Sequence, residues 1–203
     1  MPETISTAKK KVLNDIFMLY WKWDTQPDFD NVVENSPEYL LLQMYDSLKA
    51  DCLSQYNFRS TIKYVELTGE EPETNDDPRY KYRANVPEDF LKAVGFWADK
   101  ERHQPIMNSV DIQNFKAKTN YQKVIMAYTS KSIDESVLDN WVLEYMAIYI
   151  ANKASDIGGC SDSQKQYLEQ KAMIERNLCG NRDLEMAHQD RMTSLNQFLE
   201  DWY

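Results

Sequence analysis

The sequence predicts an α+β fold, mainly α: a helical bundle carrying a small antiparallel β insertion. Three observations predict it. Apolar residues recur at helical spacing in four stretches, about 8–23, 37–55, 133–155 and 162–190. Between the second and third lies a stretch, about 61–129, of short runs rich in β-branched and aromatic residues, separated by Gly, Pro and acidic turns. Helix, strand and helix signals are segregated along the chain rather than alternating, the pattern of one α+β domain. On this reading residues 1–190 form a single domain and 191–203 a C-terminal docking segment.

The first helix is expected from Ala8 to Trp23. Val12, Ile16, Leu19, Tyr20 and Trp23 mark one apolar face, and Leu13 and Phe17 widen it. Asp24-Thr25-Gln26-Pro27 ends it, because proline cannot continue a helix. Ser36-Pro37 opens the second, with Ser as N-cap and Pro at the first helical position, where its missing N–H costs nothing. Leu41, Tyr45, Leu48 and Cys52 form its stripe, and the first two helices are expected to lie antiparallel.

Strands are expected at Thr61–Leu67, Tyr80–Val86 and Phe90–Trp97, then at Val110–Ile112, Phe115–Lys118 and Tyr121–Thr129. In the last of these, Val124, Met126 and Tyr128 fall on one face, and Ile125 and Ala127 on the other. The loop Gly69–Asp77 carries Glu70, Glu71, Glu73, Asp76 and Asp77 and is expected to project into solvent.

Ser132-Ile133-Asp134-Glu135 has the spacing of a capping box, so the third helix is expected to run from there to about Ser155 and to stop at Gly158-Gly159. Leu138, Trp141, Tyr145, Ile148 and Asn152 form its stripe. Ser161-Asp162-Ser163-Gln164 is a second capping box. It starts a helix running to about Cys179, which Gly180 kinks or ends, with a helical continuation to about Asp190. Leu168, Ala172 and Ile174 are expected near its inner face. Beyond, Met192, Leu195, Phe198, Leu199 and Trp202 make an amphipathic segment too short to be stable alone, so its apolar face needs a partner.

Composition narrows function. The net charge is −10 and the pI about 4.7, the opposite of a surface that grips phosphate. No apolar run approaches a membrane span, and Met1-Pro2-Glu3-Thr4 carries no leader pattern. Cys52, Cys160 and Cys179 are far apart and odd in number, which suits free thiols in a reducing compartment. His103 and His188 have no metal-ligand partner at helical spacing. No nucleophile elbow, phosphate-binding glycine loop or dinucleotide fingerprint is present. Pairs such as Glu70 with Glu73, or Asp76 with Asp77, lie on a solvated loop and lack the burial and fixed separation that acid–base catalysis requires. We therefore expect no catalytic residues, no cofactor and no metal. The candidate site is instead a partner-binding one, at Leu195, Phe198, Leu199, Trp202 and Tyr203.

Four motifs in order carry a family resemblance. Tyr56-Asn57-Phe58-Arg59 stands before the first strand, and Val86-Pro87-Glu88-Asp89-Phe90-Leu91 enters the third. Val124-Ile125-Met126-Ala127-Tyr128 is a strand ending in Tyr, and the Ala-containing helix Trp141–Ala154 is followed by a long last helix. In this the chain resembles the tail tubular protein A family, the head-to-tail adaptors of short-tailed phages, over most of residues 8–190. The resemblance implies a structural virion protein and not an enzyme. Such a protein forms a homo-oligomeric ring of about twelve copies below the portal protein, and is bound on its other side by a downstream tail or nozzle protein. DNA passes through the lumen without specific binding, the chain has no membrane partner, and it assembles in the host cytoplasm. The alternatives are another ring layer of the tail or a tail-associated peptidoglycan hydrolase.

Overall fold

A computed structural model describes residues 5–72, 77–99, 102, 105–106 and 109–200, with side chains in the last helix described as far as Arg182. The chain divides into two compact units. One comprises Met1–Ser60 and Asp134–Tyr203, the other Thr61–Ile133. Among the described residues there are four α-helices and two three-stranded antiparallel sheets. This corrects the expectation of a helical bundle with a small β insertion: the fold is mixed α/β, and the strands form a unit with a core of its own. Each strand is legible locally, but assembly into two sheets around one core depends on contacts distant in sequence.

In the helical unit, α1 (Thr7–Asp15) is capped by Ser6, whose Oγ accepts a hydrogen bond from the Lys9 N–H. A π-turn, Ile16–Tyr20, comes next, closed by the Trp21 N–H donating to the Ile16 carbonyl at 2.9 Å. The wider turn inserts a residue into the helical period and so rotates the residues after it by about 100°. Trp21 therefore points inward and Leu19 is 61% exposed, against the expected stripe, while Phe17 is buried as expected. Phe17 meets Trp21, Trp23 and Phe29 edge-on at centroid distances of 4.8, 4.7 and 5.7 Å.

α2 (Pro37–Ser54) begins as expected, with the Ser36 Oγ accepting from the Tyr39 N–H. It buries Leu41, Tyr45, Cys52 and Leu53. α3 (Asn140–Lys153) is buried almost all round, from Val142 through Ala151. A helix apolar on every side belongs at the centre, and α1, α2 and α4 all pack on it.

α3 does not start at the expected capping box. Asp134 caps a 3₁₀ turn, Glu135–Val137, by accepting from the Ser136 N–H at 2.7 Å, and the helix begins five residues after Glu135, at Asn140. The Glu135 carboxylate instead takes a buried Lys49 ammonium at 2.8 Å, a stronger partner than a neutral backbone N–H. The second capping box does form: Ser161 Oγ accepts from the Gln164 N–H, and Gln164 Oε1 accepts from the Ser161 N–H at 2.8 Å. α4 (Asp162–Glu200) then passes through Gly180 without ending and continues past the expected limit at Asp190. Leu168, Ala172 and Cys179 are its buried side, while Ile174 is 58% exposed rather than inward.

The β unit contains β1 (Ile62–Thr68), β2 (Tyr82–Asn85), β3 (Phe90–Trp97), β4 (Val110–Gln113), β5 (Lys116–Thr119) and β6 (Lys123–Ser130). The sheet orders are β1-β6-β3 and β2-β5-β4. In the first, Val65, Met126 and Phe96 lie in one row across the sheet. Val124, Met126 and Tyr128 face the core as their alternation predicts. There they join Leu67 and Phe96 from their own sheet, and Ala84 and Ala117 from the other.

Candidate functional site

Each unit gathers part of the motif set around one anchoring side chain. In the helical unit, Phe58 is fully buried among aromatic rings: Tyr56 at 5.3 Å, Tyr145 at 5.8 Å and Trp141 at 6.0 Å. The Tyr56 hydroxyl reaches the Gly180 carbonyl of α4 at 3.4 Å, and the Cys179 thiol meets the Trp141 carbonyl at 3.5 Å. The Tyr56-Asn57-Phe58 motif thus ties the chain after α2 to the start of α3 and the middle of α4. Phe17 and Trp21, and Tyr145 and Tyr149 of α3, are core.

In the β unit the anchor is Asp89, in the turn before β3. One carboxylate oxygen accepts from the Tyr128 hydroxyl at 2.9 Å. The other accepts from Ser130 Oγ at 2.6 Å and from Lys63 Nζ at 2.7 Å. Burial alone would raise this carboxyl, but the three donors outweigh it and hold it at about 2. Burial, then the Asp89 carboxylate, pushes the Tyr128 phenol up to about 12. The Pro87-Glu88-Asp89 turn and the strand-end Tyr, far apart in sequence, therefore meet. Ser130 is fully buried and its proton is committed to Asp89, so the cluster is a brace across β1, β3 and β6 rather than an exposed nucleophile.

A buried charge pair, Lys49 with Glu135, has side chains only 8% and 6% exposed. Its carboxylate, after burial itself, helps push the adjacent Tyr45 phenol far above its ordinary value. Sequence reasoning missed this pair. The available signal was a lysine on the buried side of α2, one helical turn from both Tyr45 and Leu53.

The acidic loop is only partly described. Glu70 and Arg83 exchange backbone N–H to carbonyl hydrogen bonds at 2.9 Å, Glu71 pairs with Lys81 at 3.0 Å, and Asp77 is lowered to about 2, first by its hydrogen bond from Arg79. Glu73, Asp76 and His103 lie outside the described residues, as does the His188 side chain. Among the described residues, no group of three or more His, Cys, Asp or Glu could hold a metal ion. No helix there is long and apolar enough to cross a membrane.

Leu195, Phe198 and Leu199 lie at positions where α4 is helical, but their side chains are outside the described set; Trp202 and Tyr203 are outside it entirely. The described part of α4 does show what kind of surface leads to them. On one flank of its α3-facing side, Tyr167, Ile174 and Leu178 are 52%, 58% and 41% exposed. Lys171, on the same stripe, sits over the rings of Tyr20 and Tyr167 at 5.0 and 5.9 Å. Three large apolar side chains are thus exposed along one stripe of this long helix.

No protein-family model matches the chain, and no curated protein matches it.

Proposed function

We propose that this chain is a structural adaptor that joins a phage portal to its tail as one member of a ring. The observation that carries the reading is α4: a helix of 39 residues, anchored to α3 through Cys179 and then continuing to Glu200. At a rise of ~1.5 Å per residue this continuation spans roughly 30 Å. It leads from an exposed apolar stripe into the amphipathic segment that includes Leu195, Phe198, Leu199 and Trp202. Each large apolar side chain buried on docking would contribute ~1.5–3 kcal/mol, and repetition around a ring multiplies the attachment.

Two further features support the reading. The order of the four motifs resembles that of the tail tubular protein A family, and two of them meet at the Asp89–Tyr128 brace. The net charge of −10 suits a wall past which DNA slides without sticking. The test is deletion of residues 192–203, assayed by mass in solution with and without purified portal protein. The full chain is expected to form a stoichiometric ring-sized complex with portal, and the shortened chain to remain separate. A shortened chain that still saturates the portal would overturn the docking role, and a full chain that ignores portal would overturn the adaptor reading.

A further inference from the structure

One edge of β1 is left open by its own chain. The Gly69 N–H donates to the Gln122 carbonyl at 2.7 Å, so Gly69 turns its backbone polar groups toward the β6 side. Glu70, the next residue, turns the other way and exchanges two bonds of 2.9 Å with Arg83. In an antiparallel ladder this direction alternates residue by residue. Lys63, Val65 and Leu67 therefore point at β6, and Tyr64, Glu66 and Thr68 point the same way as Glu70. The pairing with the β2 strand ends at Glu70 and Arg83. Beyond it the strands part around a cavity of about 360 Å³ whose walls include Thr68, Glu70, Arg83, Asn85 and Lys116. Among the described residues, no hydrogen bond reaches the outward backbone groups of Tyr64 or Thr68.

A free lysine, a proline or a bulge commonly blunts such an edge. Here both charged side chains of β1 are held within the unit, Lys63 by Asp89 at 2.7 Å and Glu66 by Lys123 at 3.2 Å. The strand has no proline, and its register with β6 runs unbroken from Ile62 to Thr68. An open edge is completed by one more extended strand. Charge selects a second copy of this chain as its source. Thr61–Ile133 holds eleven Lys and Arg and eleven Asp and Glu, so the whole net charge of −10 lies in the helical unit. Two copies that meet through their β units meet without net repulsion there.

The strand is also complementary to itself. Laid antiparallel on a second copy, Ile62–Thr68 overlaps along its full length in one register, with Val65 opposite Val65 at the two-fold axis. Tyr64 then lies opposite Glu66 of the other copy, twice by symmetry, and Ile62 opposite Thr68. Sliding the register to put Glu66 opposite Glu66, or pairing the strands parallel with Lys63 beside Lys63, sets like charges together. From the open edge and this complementarity we infer that the chain pairs with a second copy of itself through β1, antiparallel and centred on Val65. The contact is isologous and closes at two copies. It joins two sheets into one of six strands, ordered β3-β6-β1-β1-β6-β3, and covers an edge that would otherwise template indiscriminate strand pairing. It does not rest on the adaptor reading, which assigns portal binding to the end of α4.

The test is sedimentation of the full chain, without portal, across a concentration series, with circular dichroism to verify folding and amide hydrogen exchange as a second readout. The wild type is expected to move between 23.9 kDa and twice that mass. Over the same range the Tyr64 and Thr68 amides are expected to exchange more slowly, while Val65 and Leu67, already bonded to β6, change little. Two substitutions at Tyr64 read the register. Tyr64→Glu sets a carboxylate opposite Glu66 twice and is expected to weaken the pair by about tenfold or more. Tyr64→Lys sets opposite charges there and is expected to hold the pair at least as tightly as the wild type. Tyr64 is 55% exposed, so neither change opens the core, and both lose the Arg102 contact alike. A wild type that stays at 23.9 kDa at the highest concentration, or that assembles into larger species with no two-copy stage, would overturn the inference. So would Tyr64 and Thr68 amides that exchange equally fast in the paired chain, or Glu and Lys variants that weaken the pair equally.

Discussion

Asp89 shows how much one carboxylate can hold. Its three donors come from β1 and β6, and its own backbone leads into β3, so the side chain ties three strands together at one end of a sheet. Asp89→Asn keeps the shape and removes the charge. The expected loss is ~1–2 kcal/mol at neutral pH, moderated because Lys63 is 42% exposed. The sign with pH follows from the lowered carboxyl. Its contribution is full above the unfolded Asp value of about 3.9 and is lost as pH falls through about 2. Denaturant titrations from pH 6 to pH 2 should therefore show the gap between wild type and Asp89→Asn closing in acid. A gap that stays constant would mean the charge is not what the brace uses.

The Lys49–Glu135 pair works by a different balance, because both groups are buried. Removing one partner strands the other charge, so Lys49→Ala is expected to cost ~3–5 kcal/mol, whereas Lys49→Met with Glu135→Leu is expected to lie near wild type. Chemical unfolding of the three proteins checks this. Equal losses in single and double variants would show that the site needs its charge for something other than pairing.

At the scale of elements, the join between α3 and α4 is closely packed. A Cβ built on Gly158 would lie 2.3 Å from the Trp21 indole, whose Nε1–H donates to the Ala151 carbonyl at 3.0 Å. The ring cannot retreat without breaking that bond. Gly158→Ala is expected to destabilise by ~1–3 kcal/mol, readable as a lower midpoint in thermal unfolding. The neighbouring Gly159→Ala faces open space but has φ of +66°. It is expected to lose ~1 kcal/mol through backbone strain alone.

The elements also show where a sequence is legible. Ser36 and Ser161 cap as read, because the side chain, the backbone N–H and their spacing are all local. The box at Ser132 fails because Lys49, far off in sequence, competes for Glu135. Leu19 is misplaced because a π-turn resets the helical phase, and nothing in Ile16–Tyr20 announces it. Phe90–Trp97 is legible end to end as a strand. That its Phe96 shares a core with Ala84 and Ala117 of the other sheet is not, since small residues carry no strong signal of burial. For the candidate site, the amphipathic tail, whose side chains lie outside the described residues, could be proposed from spacing. The exposed stripe that precedes it could not, because only the position of α3 separates the buried Leu168 from the exposed Tyr167.

For the whole molecule, the decisive fact is that Thr61–Ile133 has sheets, core and brace of its own. Ile62 is paired with Thr129, so the strands nearest the two ends of the unit lie side by side and antiparallel. A unit closed in this way loses little loop entropy when its neighbour is cut away. The isolated segment 61–133 is therefore expected to fold by itself, with a β-type circular dichroism spectrum and one cooperative transition. The complementary protein, with Ser60 joined to Asp134 by a short Gly/Ser linker, is expected to keep the helical signature. Asp89→Asn should then lower the midpoint of the isolated β segment as it does in the full chain. If 61–133 is unfolded alone, the core of Leu67, Phe96, Val124 and Met126 is too small to stand without the helices, and the chain folds as a single cooperative body.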